Sequence, residues 1–132
     1  MKKIKIGDKE IGDGEPCFIV AEVSANHRQK FNEAVALVKA AAEAGADAVK
    51  LQTYTPDTMT INSDKKWFFV GGKDNPDVWK GKTFYELYKD AYTPWEWHAK
   101  LKDLTEELGM IFFSTPFDAT AVDFLEKLNV PC

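Results

Sequence analysis

Apolar residues gather into three short strand-like runs, each ending in a polar cluster and each followed by a helical pattern. The first run is Cys17 to Ala21, with Glu22, Ser24, Asn26 and His27 beyond it. The second is Ala46 to Val49, extending to Leu51, with Lys50, Gln52 and Thr53 at its end. The third is Met110 to Phe113, followed by Ser114, Thr115 and Asp118. Helical spacing joins Phe31, Ala34, Val35, Val38, Ala41 and Ala42, and Gly45 supplies the stop. Capping boxes at Thr83 with Glu86 and at Thr93 with Glu96 start two later helices, the second reinforced by Pro94. Leu101, Leu104 and Leu108 form the buried stripe of that helix and Gly109 ends it. Ala121, Val122, Leu125 and Leu128 make a last amphipathic helix. Ahead of the first run, Met1 to Pro16 alternates weakly at Ile4, Ile6 and Ile11 and carries Gly7, Gly12 and Gly14, the pattern of a small hairpin.

Strand and helix alternating in this order predict a parallel α/β sheet. In such folds, and above all in (β/α)8 barrels, the loops beyond the strand carboxyl ends converge on one rim and carry the chemistry. A closed barrel needs about 250 residues, and this chain has 132. The expected fold is therefore the amino-terminal part of a (β/α)8 barrel, about three βα units and incomplete, with residues 1–132 as one portion of a longer barrel domain. Asn129-Val130-Pro131-Cys132 falls where a further strand should follow. A complete open sheet of three units is the alternative. The connection from Thr53 to Lys82 far exceeds the usual two to six residues. Its Trp67, Phe68, Phe69, Val70 and Trp79, set among Gly71, Gly72, Asp74, Asn75 and Pro76, suit either an aromatic flap over the rim or an insertion packed on itself.

Composition narrows the partners. The net charge is -4, and no basic run forms a stripe, which argues against nucleic acid. No segment approaches the roughly 20 apolar residues of a membrane span, and the start has no apolar signal core, so a cytoplasmic protein is expected. Cys17 and Cys132 are too few for a disulfide framework, and Cys17 reads as a small buried hydrophobe. With His27 and His98 the sole histidines, no metal site can be assembled.

Side chains alternate along a strand, so Lys50 and Gln52 share a face. Turned to the rim, they offer a cation and an amide, suited to a carboxylate or phosphate. A lysine so placed also fits a Schiff-base aldolase or a structural ion pair. Glu22 ends an apolar run, where its carboxylate needs compensation, and Lys50 on the adjacent strand is the natural partner. His27 reads as a hydrogen-bond donor at a helix start. Ser114 and Thr115 supply hydroxyls before a helix, an arrangement able to bind an oxyanion, while Asp118 reads as the cap of the last helix.

Three stretches taken together resemble the sialic acid synthase family. They are Ala21-Glu22-Val23-Ser24-Ala25-Asn26-His27, the run from Gly45 through Lys50-Leu51-Gln52-Thr53-Tyr54-Thr55-Pro56 to Asp57, and Phe113-Ser114-Thr115-Pro116-Phe117-Asp118. Glu22-Val23-Ser24-Ala25-Asn26-His27, Gln52-Thr53-Tyr54-Thr55-Pro56-Asp57 and the stretch from Leu87-Tyr88 to Thr93-Pro94-Trp95-Glu96-Trp97-His98 are most similar to the pseudaminic acid synthase branch. N-acetylneuraminate and legionaminate synthases stay open as alternatives. The resemblance implies a (β/α)8 barrel that condenses phosphoenolpyruvate with the open-chain aldehyde of an acylamino sugar, for this branch a 2,4-diacetamido-2,4,6-trideoxy hexose. No Schiff base is needed for that reaction. A divalent metal, Mn2+ or Mg2+, is implied for the longer enzyme, with ligands outside this chain, and a homodimer is implied as its assembly.

Carried over by position, the resemblance gives Glu22 the catalytic place at the reacting centre. Lys50 is implied to hold the phosphoenolpyruvate carboxylate, Thr115 to hydrogen-bond the same ligand, and Gln52 to contact the sugar or its acylamino group. Asn26 and His27 belong to the matching motif as substrate-side residues and, before that, as rim structure. Arg28-Gln29 departs from the family pattern, which often has Asn or Ala followed by Gly there, and brings an extra cation to the turn. The fourth strand with its phosphate-binding lysine, the metal-binding histidines and the carboxyl-terminal antifreeze-like domain lie outside these residues. The chain alone is thus expected to be inactive. A non-catalytic, self-associating half-barrel is the reading from a different class, because open strand edges recruit partners.

Overall fold

A parallel sheet of three strands, in the order β3-β4-β5, organises the computed structural model, which describes residues 2–72 and 75–132. Met1, within the expected hairpin, and Asp74, within the long connection, lie outside the described residues. A hairpin comes first, β1 (Ile4–Ile6) antiparallel to β2 (Lys9–Ile11), with Ile4 opposite Ile11. Gly7 turns it at φ +58, and a Cβ there would stand 3.1 Å from Ile111, so the hairpin packs against the start of the third parallel strand. The parallel strands are β3 (Val20–Glu22), β4 (Ala48–Thr53) and β5 (Ile111–Pro116). Helix α1 (Phe31–Glu43) links β3 to β4. Between β4 and β5 come α2 (Pro56–Met59), α3 (Phe84–Ala91) and α4 (His98–Glu107), and α5 (Ala119–Lys127) follows β5.

The pleat divides the strands into two faces. Val49, Leu51 and Phe112 turn to the helices and, with Val23, Ala34, Val38, Ala41, Leu101 and Met110, form the core. Each fully buried Leu or Phe there contributes about 2–3 kcal/mol. The opposite face carries Glu22, Lys50, Gln52, Phe113 and Thr115, none of them buried. Register fixes their order, with Glu22 opposite Lys50, Lys50 opposite Phe113, and Gln52 opposite Thr115.

The helices behind the sheet end in one way. Gly45, Gly109 and Asn129 adopt left-handed φ of 79, 77 and 56 degrees. The residue after each donates back five residues: Ala46 to Ala41, Met110 to Thr105 and Val130 to Leu125. The two glycines were legible as stops. Asp118 caps α5 as expected, accepting from the amides of Thr120 and Ala121. The Thr83 box also forms, and the hydrogen bond from the Thr83 amide holds the Glu86 carboxyl below its usual range.

Several expectations need correction. The first strand spans Val20–Glu22 rather than Cys17 to Ala21, and Cys17 is exposed, not a buried hydrophobe. Its neighbour supplies the reason. β4 begins at Ala48, directly after the Gly45 turn, and the Asp47 carboxylate caps the run by accepting from the Ile19 amide at 2.8 Å. The Thr93–Glu96 box does not form either. The Thr93 hydroxyl accepts from His27 instead, Trp95–Trp97 make a single 3-10 turn, and α4 starts only at His98. Leu108 and Val122 are exposed, so the apolar stripes of α4 and α5 are narrower than the periodicity suggests. In the long connection, Val70 is buried but Trp67 points to solvent with the Lys66 ammonium 4.2 Å above its ring. Among its described residues, Tyr54 at its start and Val78, Trp79 and Lys82 at its end line a cleft at the rim.

Candidate active site

Beyond the carboxyl ends of β3, β4 and β5, the open face of the sheet meets the turn after β3 and the last part of the long connection. Lys50 extends its ammonium to 2.9 Å from a Glu22 carboxylate oxygen, the pairing the sequence suggests for adjacent strands. Gln52 stands one pleat further towards the rim with Thr115 beside it. Lys50, Gln52, Glu22 and Thr115 are thus brought together on one face. Ser114 is not with them. It is buried on the opposite face, so the two-hydroxyl oxyanion reading keeps only Thr115.

The turn after β3 is built from unusual backbone. Ser24, Arg28 and Gln29 hold left-handed φ of 48, 51 and 55 degrees, each at about 1–3 kcal/mol for a non-glycine residue. His27 is the nail that secures it. Its ring is fully buried, edge-on to Trp97 at 5.4 Å. Nδ1 accepts from the Gln29 amide at 3.2 Å, and Nε2 lies 2.9 Å from the Thr93 hydroxyl. With Nδ1 accepting, the neutral ring carries its proton on Nε2 and donates to Thr93. Burial lowers the His27 pKa and keeps it neutral. Both ring nitrogens are therefore occupied by the protein itself, which makes His27 rim structure rather than a ligand contact. At the turn it accepts from the Gln29 amide instead of donating.

Asn26 donates its side-chain amide to the Val23 carbonyl at 3.0 Å and faces a cleft of about 750 Å3. Arg28, Gln52, Tyr54, Trp79 and Tyr88 line the same cleft. Burial, and then the nearby Tyr88, push the Tyr54 hydroxyl up to about 12, so it stays protonated. Sequence reasoning gave Tyr54 and Tyr88 no function, since nothing in the spacing shows that α3 folds back beside the end of β4.

On the helix side of the sheet a second polar group was missed. Thr53 Oγ1 lies 2.8 Å from His98 Nε2 and 2.7 Å from Ser114 Oγ, and His98 Nδ1 faces the Pro94 carbonyl at 3.4 Å. The donors run in one direction, Ser114 to Thr53 to His98 Nε2, with Nδ1–H directed at Pro94. Burial pushes the His98 pKa down to about 4. This chain of hydrogen bonds ties α4 to the ends of β4 and β5, next to Gln52 and Thr115.

Among the described residues no group of three or more His, Cys, Asp or Glu could hold a metal ion. No helix of the described residues is long and apolar enough to cross a membrane.

A model of the NeuB family matches residues 37–132. The chain belongs to the NeuB family. It is 48% identical over 117 residues to a pseudaminic acid synthase of Helicobacter pylori, covering 89% of this chain and 33% of that protein. It is 45% identical over 112 residues to a pseudaminic acid synthase of Campylobacter jejuni subsp. jejuni, covering 85% of this chain and 32% of the other. The crystal structure of N-acetylneuraminic acid (sialic acid) synthetase from Leptospira borgpetersenii, in complex with citrate, aligns with a TM-score of 0.77 at 27% identity. That alignment takes in 98% of this chain and 39% of the other. The chain spans about a third of the length of the curated relatives it matches. The α/β arrangement expected from the sequence, a parallel sheet backed by helices, is shared with that synthetase.

Proposed function

We propose that this chain is the amino-terminal portion of a (β/α)8 barrel in a nonulosonic acid synthase of the pseudaminic acid type. The reaction joins phosphoenolpyruvate to the aldehyde of a 2,4-diacetamido-2,4,6-trideoxy hexose. The enol carbon bonds to the aldehyde carbon, water adds to the resulting cationic carbon, and carbon–oxygen cleavage releases phosphate. The observation that carries this reading is the Lys50–Glu22 pair at 2.9 Å, set at the strand ends beside Gln52 and Thr115.

An ammonium at that place is a ready partner for a substrate carboxylate, because charge-assisted hydrogen bonds are about twice as strong as neutral ones. In this reading the phosphoenolpyruvate carboxylate takes Lys50, Thr115 donates to the same ligand, and Gln52 turns to the sugar. Glu22, released from Lys50, faces the reacting centre, where it orients a sugar hydroxyl or moves a proton. The described residues do not fit a metal, and no step is assigned to one. A divalent ion, Mn2+ or Mg2+, together with the remaining phosphate contacts, belongs to the other two thirds of the relatives' length. The 132 residues alone are then inactive, and the longer enzyme is a cytoplasmic homodimer.

Support for the pseudaminic branch comes from the two relatives of that name at 48% and 45% identity. The test is phosphate release by the complete gene product with phosphoenolpyruvate and each of two sugars. Preference for the 6-deoxy diacetamido sugar over N-acetylmannosamine bears the assignment out. Preference for N-acetylmannosamine moves the protein to the N-acetylneuraminate synthases, and turnover of neither removes the synthase reading.

A further inference from the structure

We propose that the segment 92–98, between α3 and α4, clamps the strand ends into working geometry, with His27 and Thr93 as positioning residues for the turn that Glu22 leads into. This rests on the synthase reading above, and in it neither residue touches substrate.

The turn after β3 needs support from outside itself. Ser24, Arg28 and Gln29 all adopt left-handed φ, a conformation that non-glycine residues keep only where their surroundings over-determine it. The first half is closed locally, since the Asn26 backbone and side-chain amides both donate to the Val23 carbonyl. In the second half the Gln29 amide donates to His27 Nδ1 and the Lys30 amide to the His27 carbonyl, which wraps the chain around the ring. The ring itself is fixed from a distance. It donates to the Thr93 hydroxyl at 2.9 Å and stands edge-on to Trp97 at 5.4 Å, and the Gln29 side chain donates to the Tyr92 carbonyl. All three partners belong to one segment.

The same segment grips the next strand. His98 Nε2 accepts from Thr53 at 2.8 Å, Thr53 accepts from Ser114 on β5 at 2.7 Å, and the Trp95 indole donates to the Tyr54 carbonyl at 3.1 Å. At its near end the turn is bonded to β4 as well, the Val23 amide donating to the Lys50 carbonyl at 3.1 Å. Glu22 therefore leads into a loop held at both ends, and its carboxylate meets Lys50 from there. Stability alone does not call for this chemistry. His27, Thr53, Thr93 and His98 are each no more than 1% exposed, and apolar groups of the same shape can replace a buried hydrogen-bonded pair with little change in stability. Hydrogen bonds add direction, because each fixes a distance and an angle. Here the directions converge on the strand ends that carry Glu22, Lys50, Gln52 and Thr115.

Thr93→Val in the complete gene product keeps the branched shape and deletes the hydroxyl that His27 donates to. Phosphate release with phosphoenolpyruvate and the 6-deoxy diacetamido sugar is measured beside amide hydrogen exchange. kcat should fall about 10- to 100-fold, the scale for a misplaced reacting group, while KM for phosphoenolpyruvate stays level because Lys50 and Thr115 are not moved. The Gln29 amide should exchange faster, with the amides of β4 unchanged. Thr93→Ser restores a hydroxyl and should return both readouts to near wild type. Gln29→Asn is the milder variant, accepting left-handed φ but too short to reach Tyr92. It should lower kcat about 3- to 10-fold, the loss of one uncharged hydrogen bond, again with KM level. Wild-type kcat in a folded Thr93→Val, or an unmoved Gln29 amide, overturns the clamp. Faster exchange in β4 together with Gln29 also overturns it, since a merely structural contact would loosen the whole sheet. If Thr93→Val does not fold, Gln29→Asn decides by the same readings, and wild-type kcat there overturns the clamp. A wild type that turns over no sugar removes the synthase reading instead. Release of the Gln29 amide by Thr93→Val and its recovery in Thr93→Ser would then still uphold the hold on the turn.

Discussion

Lys50 and Glu22 are direct partners in the β3–β4 register, and their side chains meet at 2.9 Å. Both keep contact with solvent, at 27% and 55% exposure, and an ion pair of that kind is worth about 0–1 kcal/mol. Function and stability should therefore separate here. Lys50→Ala and Glu22→Gln are each expected to shift the free energy of unfolding by no more than about 1 kcal/mol. Each should reduce phosphate release by at least about 100-fold, the scale for losing a preorganised charged group. Urea denaturation and turnover on the same preparation check both. Near-wild-type turnover in either variant would remove that residue from the site.

Thr115 sits opposite Gln52 with an exposed side chain, so its hydroxyl is available to a ligand. Thr115→Val keeps the branched shape that suits a strand and deletes the hydroxyl. An uncharged hydrogen bond contributes about 0.5–1.5 kcal/mol. The expected result is a KM for phosphoenolpyruvate raised up to about tenfold, with the urea midpoint unchanged. An unaltered KM would show that Thr115 does not touch this substrate.

What the sequence disclosed about this site follows from how far each signal reaches. The pleat period placed Lys50 and Gln52 on one face, and adjacency of the first two strands placed Glu22 near Lys50. Both are short-range geometry, and both hold in the structure. Helix stops at Gly45 and Gly109 were equally legible, because a left-handed residue is a local demand. Contacts between distant segments were not. Thr93 reads locally as a cap, yet its hydroxyl is taken by His27, 66 residues earlier. The hydrogen-bonded chain of Ser114, Thr53 and His98 joins residues 45 and 61 positions apart. No periodicity encodes such pairs. Cys17 failed for a related reason, since the length of β3 is set by where β4 begins, not by the apolar residues of β3.

Thr53 lies at the centre of that buried chain. It donates to His98 Nε2 and accepts from Ser114. Thr53→Val preserves the packing volume but leaves a ring nitrogen and a hydroxyl without partners, and each such orphan costs about 1–3 kcal/mol. A loss of at least about 2 kcal/mol in unfolding free energy is expected. A double variant with Ser114→Ala should recover part of it, since one orphan is then removed. If Thr53→Val unfolds at the wild-type midpoint, the chain contributes nothing to the hold of α4 on the sheet.

His98 makes this same region sensitive to acid. Its folded-state pKa is about 4, lowered by burial from an ordinary value of 6.5. Between those values the unfolded chain binds a proton that the native state refuses. Stability therefore rises with pH across this window. The contribution is fully present above about pH 6.5 and is lost progressively as the pH falls towards 4. A difference of 2.5 pH units corresponds to about 3 kcal/mol. His27, also lowered by burial, adds in the same direction. Glu86, whose carboxyl is lowered instead, loses its contribution only below its own ordinary value of 4.5. Urea unfolding between pH 7.5 and 4.5 should show the midpoint level down to about pH 6.5 and then dropping steadily towards pH 4.5. His98→Gln should remove most of the slope in that range while lowering stability at neutral pH. A wild-type midpoint that stays level from pH 6.5 to 4.5 would mean that the buried ring is not held neutral.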